Sequence, residues 1–96
     1  MQFKKTKNRL EVKLSGDFNL NTMQKISEKL DDRDELTIDL KRAHFVNSKS
    51  TIFMHNLMHR DPPVTLRLKN PPKVFFELLS TLGLQHVWNL DEIIEP

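Results

Sequence analysis

Few side chains in this 96-residue chain suit chemistry by both type and spacing. His55 and His59 stand four residues apart, which places them on one face of a helix. Two such imidazoles can hold zinc, but a site needs a third or fourth ligand. The metalloprotease pattern sets a glutamate directly after the first histidine, and Asn56 stands there instead. His44 and His86 have no partner at a useful spacing. No metal is therefore expected. The absence of cysteine removes thiolate nucleophiles, disulfide frameworks and thiolate zinc sites together. With two glycines in all, the chain has no phosphate-cradling glycine loop. Asp39 is expected to steady a neighbouring helix start rather than to act in catalysis. The chain is thus not read as an enzyme, and no cofactor is expected. What remains is FVNSKS, residues 45–50, where an apolar strand-like run gives way to polar residues. Asn47 or Ser48 can cap a helix. Ser48, or nearby Ser50, can accept a phosphate. The segment can also meet a partner unmodified. On the residues alone, all three readings stay open.

The elements that must position this stretch follow from two alternating periodicities. Phe3 lies in a short run, and Leu10, Val12 and Leu14 recur at every second residue, as in strands with one buried face. Lys7-Asn8 between them reads as a hairpin turn, and Gly16-Asp17 as a break. Asn21 and Gln24 suggest a capping box for a helix carrying Met23, Ile26 and Leu30. The acidic run DDRDE ends that helix. Leu36, Ile38 and Leu40 make the next strand, which Val46 continues after an irregular piece at 41–44. A second helix over 50–60 carries Phe53, Met54, Leu57 and Met58 on one side, and Pro62-Pro63 stops it. Val64, Leu66 and Leu68 form a further strand. Asn70 and Pro71 are expected to cap and open a third helix bearing Val74, Phe75, Leu78, Leu79 and Leu82. Phe76 is expected to lie partly exposed beside Phe75. Gly83 suits a left-handed C-terminal cap, with Leu84 packing back. Val87-Trp88 reads as a short strand or edge segment, and 91–95 as a last helical turn. The order is β-β-α-β-α-β-α in a single domain over 1–96. The fold class is α/β, with a small mixed, mostly parallel sheet of four to five strands. Because the strands alternate, the helices are expected mainly on one face, leaving the other face wet.

Charge and hydropathy narrow the partners. Fifteen lysines and arginines against thirteen acids leave a formal net charge of +2, too balanced for an expected nucleic-acid role. No aromatic residues interleave the N-terminal lysines as stacking platforms. No apolar run approaches the roughly 20 residues of a membrane span, and MQFKKTKNRL has no apolar core behind its charges, so it is not a signal peptide. A cytoplasmic chain without direct membrane insertion is expected.

Four stretches, in their order and spacing, carry a resemblance to a known family. LEVKLSGDFNLNT (10–22), LTIDL (36–40), FVNS (45–48) and PPKVFFELLSTLGLQHVW (71–88) together resemble the STAS domain of bacterial anti-sigma factor antagonists. The resemblance spans nearly the whole chain. It implies a non-catalytic regulatory module that binds a protein partner at the start of its second helix. By position, Ser48 matches the serine that an anti-sigma kinase phosphorylates in the antagonists. The implied partner-binding residues are Asn47, Ser48, Lys49, Ser50, Thr51 and His55. Asn47 stands where the family has aspartate, Lys49 follows the serine, and Ser50 replaces a glycine. The implied partner is an anti-sigma factor of the kinase-like type. A second implied reading is a small cytosolic subunit docked on the ATPase of a lipid-trafficking ABC transport complex. Either way a monomer or weak dimer is expected, with the last helix of the family cut to about one turn.

Overall fold

The computed structural model describes residues 1–95 of the chain. Strand β1 (Gln2–Lys5) pairs antiparallel with β2 (Arg9–Phe18) across the expected turn at Lys7-Asn8. Then follow α1 (Leu20–Leu30), β3 (Glu35–Val46), α2 (Ser48–Met58), β4 (Thr65–Lys69), α3 (Lys73–Thr81), α4 (Leu90–Ile93) and β5 (Ile94–Glu95). The sheet has five strands in the order β1-β2-β3-β4-β5, and every pair after the first is parallel.

Alternation decides the two faces. Leu10, Val12 and Leu14 on β2, Leu36, Ile38 and Leu40 on β3, and Leu66 and Leu68 on β4 point one way and are buried. They join one core with Met23, Ile26 and Leu30 of α1, Met54 and Leu57 of α2, and Phe75 and Leu79 of α3. Each of the three longer helices therefore covers the same face, as expected. The alternate residues, among them Lys13, Arg67 and Lys69, are exposed on the open face. The expectation of a mixed, mostly parallel α/β sheet with one wet face is met.

Several local boundaries move. Helix α1 is capped by Asn19, whose Oδ1 accepts from the Thr22 amide at 3.0 Å, and not by Asn21. Two asparagines two residues apart offer the same signal, and the apolar phase of Met23, Ile26 and Leu30 cannot separate them. Gly16-Asp17 does not break β2. Gly16 takes a φ of 92°, open to glycine, and the strand runs on to the buried Phe18. Residues 41–44 stay within β3. Between Lys13↔Asp39 and Ser15↔Arg42, and again between Gly16↔Ala43 and Asp17↔Phe45, β3 carries one residue more than β2. Both irregularities are bulges that keep the pairing while bending the strand. Asn70 does not cap α3: it takes a φ of 53° and its Nδ2 donates to Asp39 Oδ1 at 3.1 Å, so α3 starts at Lys73 after Pro72. Its far end matches expectation. Gly83, at φ 72°, lets its own amide reach Ser80 O at 3.1 Å and the Leu84 amide reach Leu79 O at 2.9 Å. Val87-Trp88 is no strand, because both amides turn back to Leu84 O at 3.0 Å. The fifth strand is instead Ile94–Glu95, directly after the α4 turn.

Candidate recognition surface at the start of the second helix

The corner forms where β3 runs into α2. Val46, the last residue of β3, is buried beside Phe18, and the Asn47 amide donates to Phe18 O at 3.0 Å. Asn47 keeps extended backbone angles and its Oδ1 accepts from the Lys49 amide at 2.7 Å. It is thus the N-cap, satisfying one of the amides that a helix start leaves free. Helix α2 therefore opens at Ser48, two residues earlier than the apolar pattern suggested, because Ser50 and Thr51 are inside the helix and not before it.

Ser50 is 0% exposed; its hydroxyl lies 2.7 Å from Asn47 O and 2.9 Å from Phe18 O, sharing one proton between two carbonyls. Thr51 is as deeply buried, with Oγ1 donating to Asn47 O at 3.2 Å. These two hydroxyls lock the corner from beneath. The expectation that Ser50 and Thr51 face a partner is corrected accordingly, and so is Ser50 as an alternative phosphoacceptor. A partner meeting this corner finds half-buried Asn47 and Ser48 and exposed Lys49.

His55 also turns to an internal task. Trp88 Nε1 donates to His55 Nδ1 at 3.0 Å, which requires a lone pair on Nδ1 and so the neutral ring. Desolvation, with the neighbouring His59 as a lesser cause, holds the His55 pKa below its ordinary value. His59 Nδ1 lies 2.8 Å from His55 O and must be its donor, since a carbonyl only accepts. With one Nδ1 taken by an indole and the other protonated, the pair is not set as a metal clamp. Among the described residues, no group of three metal-ligating side chains surrounds it. His55 sits on the stripe of α2 that continues from Ser48, but it ties α2 to the turn before α4.

Sequence reasoning missed two apolar side chains at this corner. Ile52 is 44% exposed and lies one turn beyond Ser48 on the same stripe, while Phe45, 53% exposed, stands on the last stretch of β3. Ile52 had a legible signal. It falls outside the phase of the buried Met54 and Leu57, so an apolar residue there has no core to enter. Phe45 had one too: it stands out of step with the buried Leu36, Ile38, Leu40 and Val46, so period-two alternation already turns it outward.

Asp39, near the end of the regular β3 pairing, holds the loop beyond β4. Partial burial works to raise its pKa, but the Lys41 amide, the Asn70 side chain and the charges of Lys69 and Lys13 outweigh that and keep it below the ordinary range. It does not steady a helix start, as expected of it, but accepts from the Lys41 amide within β3 and from Asn70 in the loop before α3.

Among the described residues, no helix is long and apolar enough to cross a membrane. No protein-family model matches the chain. No curated protein matches it either. A solved structure does: the anti-sigma factor antagonist SpoIIAA in its unphosphorylated form superposes with a TM-score of 0.72 at 14% identity, covering 98% of this chain and 84% of that one. The strand order, the parallel pairing and the single layer of helices agree with that similarity, and the chain has the STAS fold.

Proposed function

We propose that the chain is a non-catalytic regulatory module that binds a protein partner through the corner formed by Asn47, Ser48, Lys49 and Ile52. The observation that carries this reading is the contrast within one helical turn. Ser50 and Thr51 are fully buried and fix the corner, whereas Lys49 and Ile52 are exposed on its rim. An exposed apolar residue beside a cation, on backbone tied down by two buried hydroxyls, suits a protein interface. The fold shared with an anti-sigma factor antagonist supports the same reading.

Ser48 is the position at which phosphorylation would switch this module, since it is the serine of the pair that a kinase can reach. A phosphate there adds roughly −1.5 to −2 charge beside free helix amides, which tolerate it within the chain. The added charge and bulk then act on the partner. The module works in the cytoplasm, where such a kinase and partner reside.

The test is a photo-crosslinking residue placed at Ile52 and, as control, at Lys25 on the exposed side of α1. In lysate of its own cell, the expected result is a discrete protein adduct from position 52 that is absent from position 25. The adduct disappears when Ser48→Asp is added. An adduct unaffected by Ser48→Asp, or equal labelling from both positions, would overturn the reading.

A further inference from the structure

The open face of the sheet carries a second feature, separate from the α2 corner. Two concavities of about 270 and 430 Å³ lie on it, and they share Gln2, Lys13 and Asp39. Around them stand five cationic side chains, those of Lys4, Lys13, Lys41, Arg42 and Lys69. Only two carboxylates, Glu11 and Asp39, stand among them. Lys69 is engaged by Glu95 at 3.8 Å, and Glu11 by Arg9 at 3.6 Å. Among the described residues, Lys4, Lys13, Lys41 and Arg42 make no ion pair. A chain with a formal net charge of +2 has thus gathered an excess of cations on one face.

The first bulge in β3 accounts for part of this. Regular alternation would send Lys41 and Arg42 to opposite faces. The extra residue between Lys13↔Asp39 and Ser15↔Arg42 leaves both exposed, and both line the same concavity. The second bulge has a parallel effect on His44 and Phe45, both exposed between the inward-packed Ala43 and Val46. Phe45 is thus exposed farther along the same strand, toward the α2 corner and outside the residues that line the two concavities.

We infer that this trough is a second docking surface, and that its occupant is an acidic segment of a protein partner. Charge complementarity selects an anion, and the shape and composition select its class. A bilayer is too flat to enter two adjoining concavities. A nucleic acid carries a charge on every nucleotide, and Glu11 and Asp39 among the cations repel part of that regular array. A peptide can space its carboxylates, setting them against the lysines and Arg42 and uncharged residues against the two acids. Thr37, nearly buried at the floor, is uncharged and leaves room for main chain.

A short poly-glutamate peptide, followed by NMR on the full chain, tests this. The expected result is that amide resonances around Lys13, Thr37 and Arg42 move on titration, with an affinity that falls as salt rises. Lys41→Glu combined with Arg42→Glu weakens binding by about tenfold or more, while Lys7→Glu combined with Lys25→Glu leaves it unchanged. Should the bulge not tolerate that pair, Lys13→Gln serves in its place with a smaller loss in the same direction. Ser48→Asp leaves peptide binding intact, which separates this surface from the α2 corner. Shifts confined to other faces, or wild-type affinity in the charge-reversed protein, would overturn the inference. So would tighter binding of phosphatidylglycerol vesicles or single-stranded DNA to the same face.

Discussion

At the scale of single residues, two side chains do work that their type alone does not disclose. Asn47 looked like one of two candidate caps and is the cap in use, through Oδ1 to the Lys49 amide. Replacing it with alanine frees that amide and is expected to cost about 1 kcal/mol, within a range of roughly 0.5–2. Ser48→Ala should change stability by less than about 0.5 kcal/mol. Urea denaturation of both variants checks the contrast. His55 makes a second prediction. Its bond from Trp88 exists only with the neutral ring, because protonation sets two donors against each other. The folded pKa lies below the ordinary 6.5, so unfolded chain binds the proton more readily. The sign follows: this contribution to stability is complete above the unfolded pKa and is lost as pH falls from there through the folded one. Trp88 is the sole tryptophan and there is no tyrosine, so its emission reports the bond directly. Emission should change on acidification with a midpoint below 6.5, and His55→Gln should remove that transition. None of this was legible beforehand, because Trp88 and His55 are 33 positions apart and nothing in the spacing links them.

At the scale of elements, the strands and helices were read from periodicity, since burial on one face imposes a period of two or of 3.6 residues. Leu36, Ile38 and Leu40 are a direct case, all buried and all on the helix side. Boundaries were harder. Asn19 and Asn21 compete as caps, and Asn70 was drawn away from α3 by Asp39, a residue on another strand. The bulges were not legible at all. Register belongs to a pair of strands, and a single strand carries no mark of the residue its neighbour lacks. Gly16 is no break: at φ 92° it carries β2 between the two bulges. Nothing lies within 4 Å of where its Cβ would stand, so Gly16→Ala meets no clash, and its cost comes from the φ of 92° alone. That substitution is expected to destabilise the chain by about 1–2 kcal/mol, measurable as a lowered urea midpoint at unchanged slope.

At the scale of the whole molecule, one layer of helices on one face of the sheet leaves two different surfaces. The α2 corner is held by the Ser50 and Thr51 hydroxyls, is partly apolar and carries Ser48; the open sheet face is wet and basic. The fold was legible because local patterns agreed with one another over nearly the whole chain, which is what specifies a single structure. The candidate site was legible only in part. Ser48 and Lys49 keep the surface at the helix start that their position suggests, whereas the inward turn of Ser50 and Thr51 depends on where α2 begins, and that depends on Asn47 and Phe18 together. The central claim is that a protein partner reads the α2 corner. Aspartate at the first turn of a helix is favoured by its dipole, so Ser48→Asp should keep its fold while changing the surface. The most direct measurement is quantitative mass spectrometry of what co-purifies with wild-type chain and with Ser48→Asp from the native cell. The expected result is a specific protein bound by wild type and depleted by about tenfold or more with Ser48→Asp, a loss of about 1.4 kcal/mol in binding. Equal recovery of that protein by both forms would contradict it.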